Sequence, residues 1–203
     1  MILDPGTVPP GDFYRFMISV VVPRPIAFVS TVSPEGQLNV APFSYFNAIT
    51  NQPPLLGLSI NRRKGSPKDT LRNIEQTGEF VVNTVDESLG ARMVQTSGDW
   101  PEDVDEFALT GLTPVASDLI KPPRVGESPV SMECRLHRVI ELGSAFFVVG
   151  EIVRAHVKDD VLADGRVDIG KLRPLGRLGG DGYSVVRDVI HLPRPQVEPK
   201  ASP

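Results

Sequence analysis

Cysteine is nearly absent. Cys134 stands alone among 203 residues, so no disulfide can form within the chain. Histidine is scarce as well: His137, His156 and His191 lie far apart, with no ligand pair at short spacing, which argues against a metal site. No apolar run approaches the roughly 18 residues that a membrane span needs, and no cationic segment leads into an apolar stretch at the N-terminus. A soluble cytoplasmic protein without membrane association is therefore expected. Positive charge is in the minority, 21 Lys and Arg against 25 Asp and Glu, for a net charge of -4. That balance excludes a broadly basic nucleic-acid or membrane-surface binder, but leaves room for a local basic cluster and a small anionic ligand. Three catalytic or nucleotide signatures are also missing: the Walker loop G-x-x-x-x-G-K-[ST], the dinucleotide fingerprint G-x-G-x-x-G and the nucleophile elbow G-x-S-x-G. The glycine-dense stretch Gly176 to Gly182 lacks the required spacing and has no strand before it.

Proline is abundant, with 20 residues, about twice its usual ~5% share. Such a chain is expected to form short strands joined by stiff turns. Residues 26–32 are apolar and β-branched and read as a strand, followed by the turn signal Ser33-Pro34-Glu35-Gly36. Residues 38–50 begin as a strand, but Pro42 has no N–H to donate, so a bulge or a sheet edge is expected there. Further strands are read at 55–60, 79–85, 130–142 and 145–157, the last two meeting at the hairpin pair Gly143-Ser144. Helices are expected over 67–77, 86–96 and 104–109. The pattern predicts a mainly β barrel with a few peripheral helices. One domain over 1–203 is expected, its core at about 13–192 and its ends, 1–12 and 193–203, flexible.

The stretch Asn61 to Gly78, NRRKGSPKDTLRNIEQTG, places Arg62, Arg63, Lys64 and Lys68 around a helix start. Ser66 has the chemistry of an N-cap, Pro67 suits the first position, Asp69 can complete a capping box and Gly78 suits the left-handed stop. A helix start carries partial positive charge and free N–H groups. Extra cations there repel that end and one another unless an acidic side chain or a ligand anion neutralises them. A phosphate ester answers that need, with Thr70 as a further donor. A merely solvated loop answers the pattern equally well. The Asn39 to Asn47 stretch sets Ala41, Pro42 and Ser44 beside Phe43, Tyr45 and Phe46, and unpaired backbone next to an apolar wall can grip a flat heterocycle. An ordinary bulged strand with aromatic core residues is the competing reading. The acidic pairs Glu102-Asp103 and Asp105-Glu106 read as solvated surface, and Cys134 as a buried structural thiol. His137 and His156 read as surface or satisfied core residues; His191 fits packing or closure over a site.

Taken in order, residues 23–31 (PRPIAFVST), Gly36 to Asn47, Pro53-Pro54, Lys68-Asp69-Thr70 with Asn73, and residues 77–83 (TGEFVVN) resemble the flavin reductase-like family with an FMN-binding split barrel. Within it the sequence is similar to flavoredoxin and to the reductase components of two-component monooxygenases. The long hairpin and Leu178 to Ser184 match more loosely. The resemblance implies a six-stranded antiparallel Greek-key split barrel, a homodimer, and FMN reduced by NADH or NADPH, with the hydride chemistry carried by the flavin and no catalytic side chain required. By position it implies that Asn39, Ala41, Ser44 and Asn47 border the ring and ribityl chain. Lys68, Asp69 and Thr70 would face the phosphate with Arg62 or Arg63, and Ser30 and Thr31 would touch the ligand from the neighbouring strand. Three roles follow: a flavin reductase supplying a partner monooxygenase, an electron-transfer protein that keeps its FMN, or a non-enzymatic ligand-binding barrel. Residues 98–128 are longer and richer in proline than in many relatives, and a lid or a dimer arm is expected of them.

Overall fold

The computed structural model describes residues 1–62, 65–101 and 103–196. Seven strands form one antiparallel sheet: β1 (Ala27–Val32), β2 (Leu38–Phe43), β3 (Phe46–Asn51), β4 (Pro54–Asn61), β5 (Glu79–Asn83), β6 (Val130–Leu142) and β7 (Ala145–Val157). Their spatial order is β2-β1-β5-β6-β7-β4-β3. The two edge strands, β2 and β3, are consecutive in the chain and separated by Ser44 and Tyr45 alone. The sheet must therefore curl until its edges meet. The Tyr45 carbonyl accepts from the Ser59 N–H of β4 at 2.8 Å, and Phe43 of β2 shares a buried cluster with Leu58 and Ile60 of β4. This corner also explains why seven strands form where six are expected: the single 38–50 segment is broken in two where it changes edges.

Pro42 sits on the edge strand β2, where a missing N–H removes no ladder bond on the free side. The hairpin β6–β7 turns at Gly143, whose φ of 58° favours glycine. Helix α2 (Asp69–Thr77) lays Leu71 and Ile74 into the barrel cluster with Val29, Phe80, Val82 and Val148, all essentially excluded from solvent. Burying a side chain of that size stabilises the fold by about 1.5–3 kcal/mol. The helix ends at Gly78 in the left-handed conformation, as its sequence demands. Its start differs from expectation. Lys68 occupies the N-cap position, no side chain caps the helix, and Ser66 lies outside it.

A second cluster forms on the other face of β1 from Ile26, Phe28, Val40, Leu89, Met93 and Phe107. It is covered by α3 (Gly90–Gln95) and α4 (Glu106–Thr110), both shorter than or shifted from the segments read from sequence. The 98–128 arm is latched to the sheet by polar side chains. Ser30 Oγ donates to the Pro123 carbonyl at 2.5 Å, and Asn83 Oδ1 accepts from the Val125 N–H at 3.0 Å. Glu133, fully buried, accepts the N–H groups of Asp118 and Leu119 at 2.8 Å each and bonds His156 Nε2 at 2.6 Å. Burial pushes the Glu133 carboxyl up, but the two N–H groups and His156 outweigh it and hold it below the usual range. Asp118 in turn pairs with Arg154 at 2.7 Å.

Helix α1 (Pro10–Val20) overlaps the segment expected to be flexible, and none of its residues is buried. Buried Arg24 ties it to the barrel, donating to the carbonyls of Ile18, Val21 and Leu178. At the centre of the sheet, a Cβ added to Gly150 would run into the Phe80 ring, so this residue must be small where β6 and β7 slip register. Gly150→Ala is expected to destabilise the protein by about 1–3 kcal/mol through overpacking, measured as a lowered urea midpoint.

Candidate functional site

The start of α2, the edge strand β2 and the loop leading into α4 enclose a polar cleft. Asn39 is the hinge of its wall. Its Nδ2 donates to Thr31 Oγ1 at 3.2 Å and to Thr70 Oγ1 at 3.0 Å, while Asn73 Nδ2 donates to the same Thr31 oxygen at 3.0 Å. Strand and helix are thus fixed to each other by buried amides and hydroxyls, which leaves little freedom in the wall. Asn39, Ala41, Lys68, Asp69, Thr70 and Glu106 line a cavity of about 60 Å³. A wider cleft of about 230 Å³ adjoins it along α2, sharing Asn39, Asp69 and Glu106.

The uncapped helix start is part of this wall. Lys68, Asp69 and Thr70 are the N-cap and first two residues of α2, and all three face the small cleft. Lys68 Nζ also lies 5.7 Å from the centre of the Phe43 ring. Asp69 forms an ion pair with Arg72, so its charge is balanced within its own helix. A partial positive helix end, one ammonium and one hydroxyl make a donor set suited to a small oxyanion.

Not every residue expected at the site is brought here. Asn39, Ala41, Lys68, Asp69 and Thr70 line the cleft, whereas Thr31 is fully buried behind it and accepts hydrogen bonds from Asn39 and Asn73. Ser30 lies elsewhere: it is fully buried, and its hydroxyl is committed to the Pro123 carbonyl and to Asn83. Ser44 is half-buried at the barrel corner, and Asn47 is exposed on β3, its Oδ1 accepting from the Ala48 N–H at 2.8 Å. Arg62 is neutralised by an ion pair with Glu141 and stacks 4.4 Å from the Phe146 ring centre. Arg63 and Lys64 lie outside the described residues. Of the cations crowded in the sequence, Lys68 is the one placed at the cleft among the described residues.

One residue at the site runs against the sequence reading. Glu106 was expected on a solvated surface, yet it is 8% exposed and lines both clefts. Its neighbour Asp105 caps α4, accepting from the N–H groups of Phe107 and Ala108, and Glu106 Oε2 accepts from the free-edge N–H of Val40 at 3.2 Å. Nothing in the local pattern marks the second acid of a pair as buried; only the seating of α4 on the β2 edge does so. Glu102 lies outside the described residues. Elsewhere, burial pushes the Cys134 thiol up to about 12, which makes it a poor nucleophile. His137 and His191 are exposed, and His156 belongs to the latch.

Burial, against the backbone N–H groups that lower it and aided by the charges of Asp69 and Asp105, pushes the Glu106 carboxyl up to about 7. The folded protein therefore keeps this proton to higher pH than the unfolded chain. The stability it contributes is complete below the ordinary carboxylate range and is lost as pH rises through about 7. Urea unfolding at about pH 5 and about pH 8 is expected to show a larger drop in wild type than in Glu106→Gln.

Comparison with known proteins bears on the same chain segments. A family model described as the flavin reductase like domain matches residues 19–174. An uncharacterized protein from Halalkalibacterium halodurans is 40% identical over 97% of this chain and 98% of its own length. The crystal structure of nitrilotriacetate monooxygenase component B from Bacillus cereus is 37% identical, with a TM-score of 0.92 over 95% of this chain and 98% of that one. The 2-nitrobenzoate 2-nitroreductase of Pseudomonas fluorescens is 32% identical, with a TM-score of 0.88 over the whole of both chains. Among the described residues, no helix is long and apolar enough to cross a membrane. With its curled antiparallel sheet and this extent of similarity, the chain belongs to the flavin reductase like family and has its split-barrel fold.

Proposed function

We propose that the protein binds FMN and acts as an NAD(P)H-dependent flavin reductase whose reduced flavin serves a partner oxygenase. The observation that carries this reading is the uncapped start of α2, presented with Lys68 and Thr70 to a cleft walled by Asn39 and Ala41. The donor set fits a phosphate monoester. Lys68 would supply a charge-assisted bond, Thr70 Oγ1 a hydroxyl, and the first turn of α2 its partial positive charge. Asp69, balanced by Arg72, does not cancel Lys68. Asn39 holds Thr70 in place through the 3.0 Å bond. Asn39 and Ala41, which line the same cleft, are the residues we assign to the flavin ring and ribityl chain, with Ser44 farther along the same chain segment at the barrel corner. Bound FMN would supply the hydride-accepting chemistry; the residues bind it, orient it and leave one face open to the nicotinamide.

A cytoplasmic homodimer completes the proposal. Helix α1 buries none of its residues and exposes Tyr14, Phe16, Met17 and Val20, and β3 exposes Ile49. Such apolar surface suits a second copy of the chain. Similarity to a monooxygenase component B supports an oxygenase as the electron acceptor. An electron-transfer protein that keeps its FMN is the alternative, supported by the structural likeness to flavoredoxin from Desulfovibrio vulgaris.

Lys68→Ala is expected to weaken FMN binding by about tenfold to a hundredfold, the worth of one hydrogen bond to a charged group, measured by quenching of flavin fluorescence. Arg62→Ala should change it far less, because Glu141 already holds that guanidinium. Stopped-flow mixing of the FMN-loaded protein with NADH or NADPH should bleach the flavin rapidly. Flavin that stays oxidised under both donors would favour the carrier.

A further inference from the structure

We infer that Glu106 sets the charge of the phosphate-binding cleft, admitting the anionic end of the ligand when protonated and opposing it when ionised. This inference rests on the FMN reading above and adds a regulation of that same site. Glu106 is supplied by the arm, not by the barrel, and its carboxyl is the buried carboxylate shared by both clefts. One oxygen is engaged by the Val40 N–H, which is the free edge of β2 immediately before Ala41 and Pro42. Among the described residues no cation forms an ion pair or hydrogen bond with it.

The charges around it come from every element packed against the cleft. From α2 come Asp69, paired with Arg72, and at its N-cap Lys68. From the α4 side comes Asp105, whose carboxylate is occupied by two backbone N–H groups. The loop 96–99 brings Asp99 to the rim of the smaller cleft, and Glu35 stands on the wall of the larger one. Ionising Glu106 thus adds a buried negative charge to a cleft whose cation, Lys68, is needed for the ligand. A phosphate dianion and an ionised carboxylate sharing such a site repel each other at low effective dielectric. By linkage, the phosphate raises the affinity of Glu106 for its proton, and the proton raises the affinity of the cleft for the phosphate by the same factor. The burial that keeps this carboxyl protonated up to about neutral pH places the change within the physiological range.

The test is the dissociation constant of FMN, and separately of riboflavin, measured by fluorescence from about pH 6.5 to pH 8.5, where the phosphate monoester is already largely a dianion. Wild type is expected to lose about tenfold in FMN affinity across that range, equivalent to one unit of pKa coupling. Glu106→Gln keeps an oxygen for the Val40 N–H but cannot ionise, so its FMN affinity should stay flat and exceed that of wild type at the alkaline end. Riboflavin, without the phosphate, should give flat profiles in both proteins. Parallel FMN profiles in wild type and Glu106→Gln would overturn the inference while leaving FMN binding intact. Failure of wild type to bind FMN at any pH would overturn the reading of the site as well. If Glu106→Gln does not fold, a wild-type FMN profile no steeper than that of riboflavin overturns the inference by itself.

Discussion

A curled sheet whose two edge strands are consecutive in sequence can close in only one place. Ser44 and Tyr45 span that place, and much of the molecule follows from it. The crossing leaves β2 with one free edge, and a free edge of backbone groups must be satisfied or used. Pro42 removes one donor from it. Glu106 takes another, the Val40 N–H, and in doing so draws the arm over the edge. The cleft exists because α2 and α4 approach this same edge from two sides.

The two polar systems of the barrel serve different ends. On β1, Ser30 and Thr31 are neighbours in sequence and point to opposite faces, as strand residues must. Thr31 joins the cleft through Asn39 and Asn73, whereas Ser30 joins Asn83 and holds the arm at Pro123. The Glu133–His156 clasp continues that second system along β6 and β7. Both systems are buried and closely satisfied, which is the condition under which polar groups inside a protein add rigidity rather than cost. The arm is therefore part of the fold's framework, and it carries Glu106 into the site as a consequence of its seating.

Much of this was legible in the residues. The long hairpin 130–157 appears with the boundaries its periodicity predicts, Pro42 marks an edge, and Gly78 stops α2. Local rules decide such features, and local rules are visible in sequence. The split of 38–50 into two strands was not legible, because it is imposed by closure of the whole sheet. The capping box at Ser66 failed for a related reason: the chain enters α2 in an extended conformation at Lys68, and Ser66 lies too far back. At the site, Asn39, Lys68 and Thr70 are brought to one cleft. Ser30 is one residue out of phase with its neighbour, and Arg62 is balanced by Glu141 across the hairpin, a partner 79 positions away in the chain. Glu106 was hidden because burial of a charged residue depends on tertiary packing that no short motif records.

Everything proposed for the site depends on an oxyanion docking at the uncapped start of α2. A crystal structure of the protein grown with FMN tests this directly. It should place the phosphate within hydrogen-bonding distance of Lys68 Nζ and Thr70 Oγ1. A phosphate bound elsewhere, with the α2 start facing only solvent, would contradict the account.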